Sequence, residues 1–194
     1  MTRDGIIVAL AIAALAGCAS TPRAIVAGNT PIETRPARPA DGLWAMLDPG
    51  CPRPDRLDTR IWPGCASPFW IHGEEATVVH ALPRLSSGPR DRGYRAHYLL
   101  GSGDPLVAKI GNDADGWVFV ALTDVGHNAA GRLIAAAAAP VACLAGASGA
   151  GIRLSPSHGG CEVVSAQGVH DAAQASLRDA AALMRLAWIA PGAP

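Results

Sequence analysis

An uninterrupted run of small and apolar residues at positions 5–16 is the feature that most constrains this chain, because it determines where the remainder folds. Arg3 supplies a short charged start, and the run has the length of the apolar region of a secretory signal peptide. A lasting transmembrane helix needs about 20 apolar residues, whereas this run ends at Gly17 and Cys18. We therefore predict that the chain is exported and folds outside the cytoplasm.

The four residues that end the run, Leu15-Ala16-Gly17-Cys18, resemble the lipobox of bacterial lipoproteins. The resemblance covers residues 1 to about 20 and implies cleavage before Cys18 and a diacylglyceryl group on its thiol. In that family the residue after the cysteine influences sorting, and Ala19 is not the aspartate that favours inner-membrane retention. The resemblance thus implies an outer-membrane lipoprotein that faces the periplasm. An ordinary secretory signal, followed by a cysteine without lipid, is the alternative.

The charge balance excludes an obvious nucleic-acid partner. The chain has 16 Lys plus Arg and 16 Asp plus Glu, and removal of residues 1–17 takes one of each sign, so the remainder stays neutral. Proteins that bind nucleic acid through the phosphate backbone carry a basic patch or a high isoelectric point. We expect the membrane, through Cys18, and an envelope protein or polysaccharide as partners, and no cofactor.

If Cys18 carries lipid, four cysteines remain, and an even number in an oxidising compartment predicts two disulfides. Three pairings are possible. We favour Cys51 with Cys65 and Cys143 with Cys161, because each closes a local Pro- or Gly-rich loop. A zinc site would need close ligand pairs such as CxxC, which the sequence lacks, so no metal is predicted.

The composition divides the chain into three parts. Residues 1–17 form the signal peptide, and residues 18–41, with scattered charges and little apolar periodicity, are expected to be the lipidated cysteine and a Pro-rich tether. Residues 42–194 have the size of one domain and contain all four remaining cysteines. We predict a single disulfide-linked β-rich domain there.

Short apolar segments separated by turn residues predict β-strands and hairpins in the first half of this domain. Five consecutive alanines at 135–139 favour a helix on propensity, yet Leu133, Ile134 and Val141 around them fit a strand, and we predict a strand for 131–144. The residues 124–131 before it are expected to form a hairpin loop. The other predicted strands are Phe69–Ile71, Thr77–Leu82, Tyr94–Leu100, Leu106–Ile110 and Trp117–Thr123.

One amphipathic helix is predicted at the C-terminal end, from Ser165 as N-cap to about Trp188. Its apolar face includes Val169, Ala173 and Ser176, and is narrow enough to pack on a flat sheet. The predicted fold class is therefore β-rich α+β, with an antiparallel sheet or small barrel-like domain and one C-terminal helix packed on it.

An antiparallel β domain with such a helix is similar to the lipocalin architecture, and Gly42-Leu43-Trp44 resembles the Gly-x-Trp signature of that family. The resemblance implies that Trp44 closes one end of a barrel; an ordinary core tryptophan is the alternative. A lipocalin-like carrier would have an interior pocket lined by Val118, Val120 and Leu122 or their alternates. The spacing of Gly42, Trp44 and the four cysteines is also similar to uncharacterised secreted proteins of alphaproteobacteria, which implies no activity.

Candidate catalytic groups are few. His72, Glu74 and His80 would share one face only if a strand ran unbroken through Gly73-Glu74-Glu75, and this segment is predicted to be a turn. A serine hydrolase would need a Gly-x-Ser-x-Gly elbow, and Ser148 has alanine in place of the second glycine. His158-Gly159-Gly160 resembles an oxyanion loop only loosely.

A run of arginines is the remaining candidate site. It lies in a Pro-, Ser- and Gly-rich loop and could bind anionic lipid headgroups or polysaccharide, with a solvated loop as the alternative. Its members are Arg84, Arg90, Arg92 and Arg95.

The sequence thus predicts a lipid-anchored envelope protein with a structural or accessory binding role and no enzyme activity. The alternatives are a lipocalin-like carrier of a small apolar ligand and, with less support, a periplasmic hydrolase.

Overall fold

The computed structural model describes residues 26–27, 31–32, 38–78, 94–112, 116–143, 152–155, 160–163, 165–178 and 183–192. Within these ranges the chain forms β-strands, one α-helix and a short 3-10 helix at Thr59–Ile61. The helix, α1, is Ala166–Leu177. The strands are β1 (Val26–Ala27), β2 (Gly42–Leu47), β3 (Ala66–His72), β4 (Glu75–Val78), β5 (Tyr94–Leu100), β6 (Leu106–Asn112), β7 (Gly116–His127), β8 (Leu133–Pro140), β9 (Ile152–Ser155), β10 (Gly160–Val163) and β11 (Met184–Ala190).

Eight of these strands close into an antiparallel barrel. Strands β2 to β8 pair with their neighbours in chain order, β8 pairs with β11, and β11 returns to β2. Closure satisfies the backbone hydrogen bonds of every barrel strand without leaving an open sheet edge. The predicted β-rich α+β class, with a barrel-like sheet and a helix packed on it, is confirmed.

Strand β7 shows how the sequence produces two packed layers. Val120 and Leu122 face the barrel interior, whereas Phe119 and Ala121, which alternate with them, pack under α1 on the outside. Successive side chains of a strand point to opposite faces. Phe119 and Ala121 are fully buried, so this strand is apolar on both faces, and its sequence is a nearly continuous apolar run.

The alanine-rich segment is a strand, as predicted. Ala136 and Ala138 of β8 face the interior, and β8 pairs with β7 on one side and β11 on the other. Hydrogen bonds to two neighbouring strands outweigh the helix propensity of alanine, which is worth only a few tenths of a kcal/mol per residue against most other types.

The hairpin between β7 and β8 is tighter than expected. Strand β7 continues to His127 through an irregularity in register near Asp124, and the turn proper covers Asn128–Gly131. The side chain of Asn128 accepts hydrogen bonds from the amides of Ala130 and Arg132. The predicted loop at 124–131 was therefore too long at its start.

Helix α1 begins as predicted. The Ser165 side chain accepts a hydrogen bond from the Gly168 amide at 3.1 Å and so caps the first turn. Val169, Ala173 and Ser176 are buried, as their spacing predicts, and the helix packs on β7 and β8.

The predicted end of the helix at Trp188 was wrong. The helix ends at Leu177, and Met184–Ala190 form β11, the strand that closes the barrel. Leu186 and Trp188 pack against the interior cluster, while Ala187 packs on the outside. This segment gains backbone partners on both sides, from β2 and from β8, and this pairing outweighs its local helical pattern.

The connection between β2 and β3 covers the outside of the barrel. A disulfide joins Cys51 to Cys65 with 5.8 Å between the Cα atoms, and Trp62 packs with both over the outer face of β2. At the exposed 3-10 helix, the guanidinium and amide of Arg60 hydrogen-bond to Asp58 and hold the pKa of that carboxyl at about 2.

A second disulfide, Cys143–Cys161, joins the chain just beyond β8 to β10. These two disulfides are the pairings that the sequence favours. Strand β1 pairs in parallel with β10, and the Ala40 amide donates to the carbonyl of Leu133. Parts of the segment expected to be a tether, 18–41, therefore contact the folded domain.

Among the described residues, no helix is long and apolar enough to cross a bilayer.

Candidate functional site

The barrel interior is the candidate functional site, and its two ends differ. We name them the Ala40 end, where β2 begins, and the Met46 end, where β2 finishes. The fully or largely buried interior side chains are Ala40, Trp44, Ile71, Tyr98, Leu100, Leu106, Ala108, Leu122, Leu133, Ala136 and Ala138.

Trp44 closes the Ala40 end. It is 1% exposed, and its indole Nε1 donates a 2.8 Å hydrogen bond to the carbonyl of Ala40, which is itself buried. Its ring stacks on Phe69 with 6.0 Å between centroids. The chain segment before β2 thus lies across this end of the barrel and is held there by Trp44. This is the position that the lipocalin resemblance implies for the tryptophan.

Gly42, two residues earlier, is required by the same closure. Its φ is +131°, and a Cβ atom there would lie 2.1 Å from the carbonyl oxygen of Ala190. Only glycine adopts this backbone geometry without strain and leaves room for the end of β11. The presence of Gly42 and Trp44 at these two positions is therefore explained by the structure of this end of the barrel.

A polar rim surrounds the closed end. The Tyr98 hydroxyl donates to the carbonyl of Gly73, and the Asp41 carboxylate accepts from the Gly73 amide at 2.7 Å. Burial raises the pKa of Tyr98 to about 12, and the negative charges of Asp41 and Glu74 add to the effect. Tyr98 is therefore a neutral hydrogen-bond donor at physiological pH.

At the Met46 end the interior side chains are only half-buried. Ile110 and Val120 pack against the interior cluster yet remain partly exposed. Residues directly opposite each other on paired strands share a face, so Val118, opposite Ile110, and Met184, opposite Ala138, also face inward. The other half-buried inward residues at or near this end are Met46, Ser67, Phe69, Pro140 and Leu186.

This end has the chemistry of a site for an apolar group. The half-buried residues are aliphatic, aromatic or thioether side chains with one serine among them, and they come from six barrel strands. An eight-stranded barrel has an interior wide enough for packed side chains or for one small ligand.

His72, Glu74 and Glu75, the candidate metal or acid-base residues that the structure describes, lie on the outer surface of the barrel. Glu75 lies between His72 and His97 on three adjacent strands, all three exposed on the outer face. Glu74 instead forms an exposed ion pair with Arg38 at 3.6 Å. Within the described ranges no group of three such side chains could hold a metal ion.

Arg95, one of the predicted anion-binding arginines, is exposed on β5. The other predicted site residues that lie outside the described residues are Cys18, His80, Arg84, Arg90, Arg92, Ser148 and His158.

Met184 and Leu186 were missed as lining residues, because their segment was assigned to a helix. Their two-residue alternation with Arg185 and Ala187 was a signal of a strand with one inward face.

Comparison of the chain with protein-family models, with curated proteins and with solved structures found no match.

Proposed function

We propose that this protein binds a small apolar molecule in the barrel, at the Met46 end, and acts as a carrier. The observation that carries this proposal is the group of half-exposed inward apolar side chains at the Met46 end, which includes Val118, Val120 and Met184. Side chains such as Val118 and Val120 would normally be excluded from water in a barrel that is filled by its own core. Covering them with a ligand removes apolar surface from water, which is worth about 25 cal/mol per Å².

The closed end sets the depth of this site. Trp44, which closes the Ala40 end, stacks on Phe69, and Ala40, Ile71 and Leu133 are buried toward that end. A ligand would therefore occupy the half between these rings and Met46. Ser67, the polar side chain among the half-buried inward residues, would meet a hydroxyl or carbonyl of the ligand.

Binding can be tested with N-phenyl-1-naphthylamine, whose fluorescence rises in an apolar site. We expect a saturable rise for the wild-type protein and at least about tenfold weaker binding for Val118→Trp, which fills the Met46 end; tenfold corresponds to about 1.4 kcal/mol. Thr77→Trp is the matched control, because Thr77 pairs with Trp70 and Arg95 on the outer face. No saturable signal, or equal loss in both variants, would contradict the carrier and leave the structural or accessory role.

We further propose that Cys18 carries lipid and anchors the domain at the outer membrane, facing the periplasm. The support is the lipobox-like Leu15-Ala16-Gly17-Cys18 sequence. The intact mass and membrane fractionation of wild type and Cys18→Ser, expressed in a Gram-negative host, test this directly. A diacylglyceryl-sized mass increase and outer-membrane association that are both lost in the variant are expected. A soluble, unmodified wild-type protein would refute the anchor.

A further inference from the structure

A groove of about 350 Å³ lies on the outside of the barrel, apart from the interior site. It is bounded by the first turns of α1 and by the turn after β5, which runs from Gly101 to Pro105. The residues that line it are Ile32, Gly101, Ser102, Gly103, Val107, Ala166, Gln167, Val169 and His170. Pockets that bind small molecules start at roughly this volume.

The floor of the groove is apolar. Val107 of β6 and Val169 of α1 are both buried and belong to the cluster between the helix and the barrel wall, and Ile32 packs against the same cluster. These three residues come from distant parts of the sequence. The floor is therefore a product of the packed fold.

Gly103, in the turn after β5, leaves space for the imidazole of His170 at one wall of the groove. Gly103 has φ +105°, and a Cβ atom there would lie 3.3 Å from Cε1 and 3.6 Å from Nδ1 of His170. A larger residue would be strained and would crowd the imidazole. Glycine at 103 thus lets the ring of His170 approach the turn closely.

His170 gives the groove a directed donor. Its Nε2 lies 3.4 Å from Nε2 of Gln174, and when the Gln174 amide donates to it, the imidazole proton resides on Nδ1, the nitrogen that faces Gly103. Ser102 is in the same lining, and no Asp or Glu is among the lining residues that the structure describes. The polar part of the groove is therefore suited to an acceptor.

We propose that this groove binds a small, flat molecule with an apolar body and a carboxylate head. The body lies on Val107 and Val169, and the carboxylate accepts a hydrogen bond from His170. This site does not depend on the barrel interior, because Val107 and Val169 lie on the opposite side of the barrel wall.

The probe for this site is 2-naphthoate, with 2-naphthylmethanol as its uncharged counterpart, added to the full chain carrying Cys18→Ser and followed by amide chemical shifts. We expect saturable shifts at Gly101, Gly103 and His170. Binding should be at least about tenfold weaker for the alcohol. His170→Ala should reduce the affinity for 2-naphthoate and leave that for the alcohol nearly unchanged.

A blocking variant separates this site from any other. Ala166 is exposed and lines the groove, so Ala166→Trp fills it without disturbing the core. Arg178→Trp places the same side chain at the other, exposed end of α1. Loss of 2-naphthoate binding in the first variant alone supports the proposal. Absent shifts, shifts confined to β7 and β11 around the barrel interior, equal affinity for acid and alcohol, or equal loss in both variants would overturn it.

Discussion

The substitution Ser176→Ala separates the effect of tertiary contacts from that of helix propensity, because the two predict opposite signs. Ser176 is 3% exposed on α1. Its Oγ donates to the Ala172 carbonyl at 2.8 Å and accepts from the backbone amide of Ala142 at 3.0 Å. The hydroxyl therefore links the helix to the chain just beyond β8.

The expected loss of stability follows from the backbone amide of Ala142, which loses its hydrogen-bond acceptor in the variant. Ala142 is buried, and a buried amide that loses its partner costs about 1–3 kcal/mol. Alanine in place of serine inside a helix returns about 0.5 kcal/mol. We therefore expect Ser176→Ala to lower the free energy of unfolding by about 0.5–2.5 kcal/mol.

Urea denaturation with the disulfides intact measures this difference, with an unchanged m-value as the sign that the denatured state is unaffected. Amide hydrogen exchange at Ala142 should accelerate in the variant. Gln174→Ala, at an exposed position of the same helix, is the control and should change stability by less than about 0.5 kcal/mol. Equal or greater stability of Ser176→Ala would show that the hydroxyl does not support the Ala142 amide.

Three further predictions concern the closed end and the covalent links. Gly42→Ala should lower the free energy of unfolding by more than about 2 kcal/mol in thermal or urea denaturation, because φ +131° is strained for alanine and its Cβ would clash with Ala190. A change in stability close to zero would contradict the positive φ of Gly42 and its close contact with Ala190. Tyr98 has a raised pKa of about 12 in the folded protein, so its stabilising contribution is complete below the unfolded value near 10 and disappears as pH rises through 12. Stability curves of wild type and Tyr98→Phe should diverge in slope only in that window, and parallel curves would refute the assignment. Replacing Cys51 and Cys65 by serine should cost about 3 kcal/mol, measured by urea denaturation, and a loss below about 1 kcal/mol would show that the loop is held by its packing instead.

Local patterns in the sequence were enough to place much of the barrel. Strand β5 was predicted with the bounds that the structure has, and the N-cap of α1 was predicted at Ser165. These features depend on neighbours within a few residues: turn chemistry, two-residue alternation and a capping side chain. The nearby cysteine pairs that the sequence favours, such as Cys51 with Cys65, are likewise close in the chain.

The site was harder to predict, because its walls come from strands far apart in the sequence. Val118 and Val120 were assigned to one face correctly, but Met184 was placed on a helix. Which end of the barrel is closed depended on Ala40, which the sequence assigned to a tether.

The sequence by itself determined the β-rich class, the alternating faces of the central strands and the start of α1, because each follows from residues that are near neighbours. Only the tertiary structure decided that Met184–Ala190 is a strand, that the barrel is closed by its pairing with β2 and β8, and that Ala40 packs inside one end with Trp44. The physical reason is that a strand is stabilised by hydrogen-bond partners elsewhere in the chain, whereas a helix satisfies its own backbone. Where a segment fits both patterns, the available hydrogen-bond partners determine whether it forms a strand or a helix.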